Sequence, residues 1–223
     1  MRRLLVIGLA TLFFSGCMVD VTAPVKQAPP EQQVEAAALQ PAVLAEVPSY
    51  YGDYRPGQRI TDDRRLRKTG EVMRDSLGEM EVLKATGQQK RVNTGPAELT
   101  IRETKLLRYE PESSESSLAG KFTPEPEFEF VKLFVEVRNI GDEPIHFNPL
   151  AEINTDKGEA LLWKNDIYQE GLGGEIPPGE VKAGNIGFIL EDANVQVLSL
   201  KTGVVVRAAD GKLADAREVE IRF

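Results

Sequence analysis

The sequence predicts an all-β protein built as an antiparallel β-sandwich, and three observations predict it. Apolar and polar residues alternate over short runs, most clearly in Phe128 to Asn139, FEFVKLFVEVRN, where Val131, Leu133, Val135 and Val137 share one face. Turn chemistry separates the runs, as in Gly141-Asp142-Glu143-Pro144, which combines a permissive glycine with a proline of fixed φ. Neither βαβ alternation nor a Cys…Trp…Cys pattern appears.

Taken in order, Glu79 to Leu83 reads as a first strand, and Ala97 to Tyr109 follows a turn at Gly95-Pro96. Leu99 and Ile101 share a face and apolar positions resume at Leu106 and Leu107, which predicts a bulge or break near Glu103. Residues 110–127, EPESSESSLAGKFTPEPE, read as a long acidic loop. On the second face of the 128–139 strand stand Lys132, Glu136 and Arg138, with Phe134 among them. Short strands follow from Ile145, at Ile153, and over Ala160 to Trp163. Gly171-Leu172-Gly173-Gly174 reads as a flexible loop, and Pro177-Pro178-Gly179-Glu180 as a hinge into a strand over Val181 to Leu190. Leu198 to Leu200, Val204 to Val206 and Val219 to Phe223 complete the set.

The N-terminus carries an address. Arg2 and Arg3 precede Leu4 to Phe14, LLVIGLATLFF, an apolar run of eleven residues followed by Ser15, Gly16 and Cys17. That is the layout of a signal peptide over 1–16, and the run is too short for a membrane-spanning helix of ~20 residues. Ser15-Gly16-Cys17 resembles the bacterial lipobox, with Phe14 where the consensus prefers Leu. The resemblance implies cleavage before Cys17, a diacylglycerol on its sulfur and usually a further acyl chain on its amino group; two chains make anchoring stable. Met18, where Asp would signal retention, implies an outer-membrane destination if the organism has an outer membrane. With no second cysteine, no disulfide forms. Residues 17–49, interrupted by Pro24, Pro29, Pro30, Pro41 and Pro48, read as a disordered tether of about 30 residues.

Residues 50–77 differ again. Tyr50, Tyr51 and Tyr54 sit beside glycines and a proline, and Arg59, Arg64, Arg65, Arg67 and Lys68 form a basic patch in a chain of net charge −8. These five are candidate contacts for an anionic partner such as lipid headgroups or a cell-wall polymer. The interleaved Asp53, Asp62, Asp63, Glu71 and Asp75 weaken the patch and fit a solvated segment better. Removal of the leader leaves 25 basic against 35 acidic side chains, a balance of −10, which argues against nucleic acid.

No catalytic constellation emerges. His146, the single histidine, alternates away from Ile145 and Phe147 and reads as an exposed strand residue. No serine has a G-x-S-x-G context, zinc lacks its Cys and His ligands, and the acidic loop pairs lack calcium-loop spacing. No cofactor or metal is expected. Trp163 and Tyr168 suit a sugar-stacking pair or, better, the core.

FVEVRNIGDEPIHFNP, NTDKGEALLW and IPPGEVKAGNIGFILEDANVQVLSL together resemble an Ig-like domain family of unknown function. That family is common in bacterial surface lipoproteins and similar in architecture to a secreted mycobacterial immunogenic β-sandwich protein. The matching positions are Asn139, Gly141, Glu143, Pro144, Gly158, Pro178, Gly179, Glu180, Gly184, Ile186, Phe188 and Leu190. The resemblance implies an Ig-like β-sandwich, here over 78–223, and brings no catalytic residues. Asn139 and Gly141 read as turn-builders that tolerate a left-handed backbone. The expectation for function is a non-enzymatic envelope lipoprotein, held to the membrane through Cys17, whose Ig-like domain binds an envelope protein through an exposed strand edge. The alternative is a cell-wall or anionic-ligand binding module that uses residues 50–75.

Overall fold

The computed structural model describes residues 45–57, 59–112, 121–207 and 211–223. Cys17, the leader, residues 17–44 of the tether and the centre of the acidic insert lie outside them. Among the described residues the chain from Ser49 onward is all-β, with only short 3-10 turns, and every strand pair is antiparallel.

One layer is a six-stranded sheet of β1 (Val72–Asp75), β2 (Gly78–Thr86), β3 (Lys90–Thr94), β4 (Ala97–Pro111), β5 (Phe128–Asn139) and β10 (Val181–Ile189), numbered in chain order. Its order is β1-β2-β4-β5-β10, with β3 also on β4. β2 and β3 lie end to end along β4, from Gly78 opposite Pro111 to Thr94 opposite Ala97. Gly95-Pro96 closes this long hairpin in two residues; Gly95 takes φ 57 and proline the negative φ that follows in a II′ turn. The second layer holds two four-stranded sheets. One contains β6 (Ile145–Phe147), β9 (Gly174–Ile176), β12 (Val205–Arg207) and β13 (Lys212–Ala214). The other contains β7 (Glu152–Thr155), β8 (Ala160–Leu162), β11 (Val197–Lys201) and β14 (Glu218–Arg222).

The main core lies between the layers. Leu99, Ile101, Val131, Leu133, Val135, Val137, Ile186 and Phe188 from the large sheet meet Ile145, Phe147, Ile153, Leu198, Leu200, Val205 and Ile221. Trp163 packs against this cluster from a 3-10 turn, while Tyr168 belongs to a second cluster on the opposite face of the large sheet, so the two are not a pair. The break expected near Glu103 is a bulge: the β4–β5 register shifts between Ile101 and Glu103. Its consequence is a change of face. Before it, Ala97, Leu99 and Ile101 point into the main core; after it, Glu103, Lys105, Leu107 and Tyr109 point outward, opposite Phe134, Lys132, Phe130 and Phe128.

Four elements differ from expectation. β1, β3, β9 and β13 are strands that the apolar alternation does not mark, since KRVNT and KLA each carry little apolar signal. Leu172, in the glycine run read as a flexible loop, is buried in the main core, and Gly174 opens β9. Asn139 does not use a left-handed backbone. Its amide donates to the carbonyls of Glu143 (2.7 Å) and Ile176 (2.9 Å) and its Oδ1 accepts from Gly141 N–H (2.9 Å), so it splices three segments at the strand end. Gly141 is needed for space: a Cβ there would stand 2.9 Å from Pro96 Cβ. Finally, the folded unit begins upstream of residue 78, because β1 pairs with β2 and residues 49–68 cover the sheet's outer face.

Candidate functional site

The outer face of a two-layer sandwich is ordinarily wet, yet here it carries Phe128, Phe130 and Phe134, all buried. Residues 49–68 are the reason. After Pro48 the chain makes a 3-10 turn over Ser49–Tyr51. The rings of Tyr51, Tyr54 and Tyr50 then lie 4.2, 5.1 and 6.2 Å from Phe134. Ile60 and Leu66 enter the outer cluster beside Met80, Val82, Leu107 and Tyr109. Thr61 Oγ1 donates to Asp75 Oδ1 at 2.9 Å, which fixes the cover to the end of β1.

Beneath the cover lies a buried charge network. Lys105 and Lys132 are direct cross-strand neighbours on β4 and β5, and like charges so placed repel. Both are closed to solvent, with exposures of 1% and 0%. Two carboxylates balance them. Asp63, from the cover, stands 2.8 Å from Lys105 Nζ and 2.7 Å from Lys132 Nζ. Glu103, aimed outward by the bulge, stands 2.9 and 3.4 Å from the same two nitrogens. Tyr50 donates to Glu103 at 2.5 Å, Tyr51 donates to its other oxygen, and Lys132 donates to the Tyr51 hydroxyl at 3.1 Å. Burial alone would raise the Asp63 and Glu103 carboxyls, but the charges of Lys132 and Lys105 hold both below the ordinary carboxylate range. Burial opposes the charge of Lys105, yet Asp63 and Glu103 raise its pKa. Burial and the neighbouring carboxylates push Tyr50 and Tyr51 far up, so both stay neutral. The network thus sets the carboxylates of Asp63 and Glu103 against Lys105 and Lys132, with the Tyr50 and Tyr51 hydroxyls around them. Its chemistry is that of a clamp.

A second polar cluster continues from it. The loop 166–170 lies along the free edge of β10: Ile167 N–H donates to Gly187 O at 2.9 Å, and Asp166 accepts from the N–H groups of Gly187, Tyr168 and Gln169 at 2.9, 3.1 and 3.1 Å. This edge is therefore closed over 185–187. Gly187 permits the approach, since a Cβ there would meet the Tyr168 ring at 2.7 Å. Asn185 Nδ2 donates to the Tyr54 hydroxyl (2.6 Å), which donates to Glu170 (2.7 Å), and Asn185 N–H donates to the same carboxylate (2.9 Å). Burial raises the pKa of Glu170 and of Asp166 despite these bonds.

The five basic residues of the patch part company. Arg64 is committed inward: it pairs with Asp62 at 2.8 Å, donates to Tyr54 O at 3.0 Å and stands 5.8 Å from the Tyr51 ring centre. Arg67 is half-buried, 5.9 Å from the Tyr50 ring centre. Arg59, Arg65 and Lys68 are exposed, and among the described residues these three and Arg67 form no ion pair. His146 is half-exposed on β6, 3.6 Å from the carboxylate of its cross-strand neighbour Glu175. Among the described residues no three His, Cys, Asp or Glu side chains converge as metal ligands.

Residues 86–209 match the model of DUF4352, a domain of unknown function. The chain belongs to this family. It is also 31% identical over 240 residues to the uncharacterized protein YdhF of Bacillus subtilis (strain 168), and each chain is covered in full. Two solved structures that the chain matches are a functionally unknown protein from Listeria monocytogenes EGD-e and a conserved hypothetical protein from Bacillus anthracis. The first has a TM-score of 0.49 at 10% identity and covers 66% of this chain and 87% of its own. The second has 0.35 at 18% identity and covers 59% and 95%. The DUF4352 region holds Glu103, Lys105, Lys132, Glu170 and Asn185, whereas Asp63, Tyr50, Tyr51 and Tyr54 stand upstream of it.

The clamp was not read from the sequence, although a signal exists. Lys132 sits mid-strand on the face of Phe130 and Phe134, and a lysine among aromatic neighbours on a strand needs a counter-charge.

Proposed function

We propose that this chain is a non-catalytic lipoprotein of the bacterial cell envelope, anchored through Cys17, whose sandwich domain binds another envelope protein. The tether then spans residues 17 to about 48, and the chain docks on the sheet directly after it. The observation that carries the partner reading is an apolar end of the sandwich. Ile140 and Val181 are 50% and 52% exposed, and Pro177 and Pro178 are exposed beside them. Asn139 N–H bonds to Glu180 O at 3.2 Å and Gly179 N–H to Asn139 O at 2.9 Å, so these side chains flank one crossing. Exposed apolar residues gathered at one place favour a protein contact.

A second reading rests on Arg59, Arg65, Arg67 and Lys68, whose charges have no internal partner among the described residues and suit an anionic surface. Photocrosslinking in the native envelope separates the two. A photoreactive residue in place of Ile140 or Val181 is expected to yield a protein adduct of fixed mass, and one in place of Arg65 or Lys68 none. Adducts only at 65 and 68, with lipid or cell-wall polymer, would replace the first reading by the second.

A further inference from the structure

The second layer carries two adjoining cavities. The first, of about 370 Å³, is walled by Asn148, Trp163, Lys164, Gln169 and Gly173. The second, of about 520 Å³, shares Asn148 and Gly174 with it and continues past His146, Lys201 and Val204. The shared residues join the two into one groove. Each volume lies within the range of ligand pockets, ~300–1,000 Å³.

Trp163 is the only tryptophan of the chain. It packs against the main core, yet it stays partly exposed and walls the first cavity. Gly173 keeps the space beside it open: a Cβ there would stand 3.1 Å from the indole Cζ2 and would also strike Asn148 Oδ1. Gln169 takes φ 53, a strained conformation that no other non-glycine residue among those described adopts, and such strain gathers at binding sites. Among the described residues the Asn148 and Gln169 amides, the indole N–H and the ammonium groups of Lys164 and Lys201 form no hydrogen bond or ion pair. The carboxylate of Asp166, also at the first cavity, is occupied by three N–H groups, and His146 stands beside Glu175.

These groups select a ligand chemistry. A pyranose presents apolar C–H faces and a rim of hydroxyls, each both donor and acceptor. An indole meets the faces, and an amide, with one acceptor oxygen and a donor NH2, meets the rim. Two lysines without a partner, one on each cavity, call for negative charge. We infer that the groove binds a linear oligosaccharide that carries carboxylate groups. Trp163 stacks on one ring, Asn148 and Gln169 bond its hydroxyls, and Lys164 and Lys201 meet the carboxylates. The site shares no residue with the Ile140–Val181 end or with the basic segment, so it rests on neither reading above.

The single tryptophan reports on the site without a label. The full chain, in mild detergent, is titrated with tetragalacturonate, its neutral methyl ester and tetraglutamate, and Trp163 emission and heat are followed. Expected is a saturable change in emission with tetragalacturonate, weaker as salt rises, and an affinity about tenfold lower when Lys164→Gln and Lys201→Gln are combined. Gln169→Gly is expected to fold as the parent does, because glycine takes φ 53 freely, and to lose affinity with the amide. Arg65→Gln with Lys68→Gln leaves the affinity unchanged. Absence of saturable tetragalacturonate binding would overturn the inference. Equal binding of the methyl ester would overturn the acidic assignment, and equal binding of tetraglutamate the saccharide assignment. Loss of binding in the Arg65 and Lys68 variant alone would place the sugar on the basic segment and overturn the site.

Discussion

Asp63→Ala is expected to remove about 3–5 kcal/mol of stability, measured by urea denaturation of the chain from residue 45. The magnitude follows from what the substitution strands. Asp63 touches both lysine nitrogens, and those lysines face each other across β4 and β5 with no access to water. Glu103 alone then has to balance two charges, at 2.9 and 3.4 Å. Adding Lys132→Met to Asp63→Ala removes the stranded charge and is expected to recover much of the loss, although it also removes an interaction. The pH dependence has a definite sign. The native state holds Asp63 and Glu103 below the ordinary carboxylate range near ~4, so it binds fewer protons than the unfolded chain there, and stability rises with pH through that range. The contribution is complete above the ordinary value and disappears as pH falls through the depressed ones. Glu170 and Asp166, raised by burial, act with the opposite sign as pH rises through their own range. Asp63→Asn therefore flattens the acid limb, and a variant with an unchanged acid limb would contradict the assignment.

Phe134→Ala is the second large effect, about 3–5 kcal/mol. Phe134 is fully buried, and it is the platform for three tyrosine rings. Its truncation opens a cavity under the cover and removes aromatic contacts worth ~0.5–1.5 kcal/mol per pair beyond their buried area. Phe134→Leu keeps most of the volume and is expected to cost clearly less. Equal costs for the two in urea denaturation would mean that the tyrosines do not lean on this ring.

The fold was legible wherever neighbours in sequence decide the structure. The alternation of Phe128 to Asn139 gives the bounds of β5, the Gly95-Pro96 turn marks the start of β4 although not the β3 strand that pairs with it, and the switch from Leu99 and Ile101 to Leu106 and Leu107 marks the bulge. The cover was not legible. Its buried residues, Tyr51, Ile60, Thr61, Asp63 and Leu66, have neither a strand period nor a helix period, because an irregular chain laid across a sheet needs only occasional anchors. Tyr50, Tyr51 and Tyr54 beside glycines suggest an outward contact surface, whereas they face inward onto Phe134. The clamp is still less local: Asp63 and Lys132 stand 69 residues apart, and no spacing rule connects them. What the sequence did hold was half of the problem, a lysine on an aromatic strand face, without the carboxylate that answers it.

Residues 49–57 and 59–68 form a layer of the fold. Native-state hydrogen exchange tests it most directly, on the amides of Tyr51, Tyr54 and Leu66, whose N–H groups bond to Pro48, Tyr51 and Asp63 carbonyls at 3.1, 2.9 and 2.9 Å. Protection approaching that of β5 is expected, with exchange through a large cooperative opening. Exchange of these three amides at open-chain rates, while β5 stays protected, would contradict it.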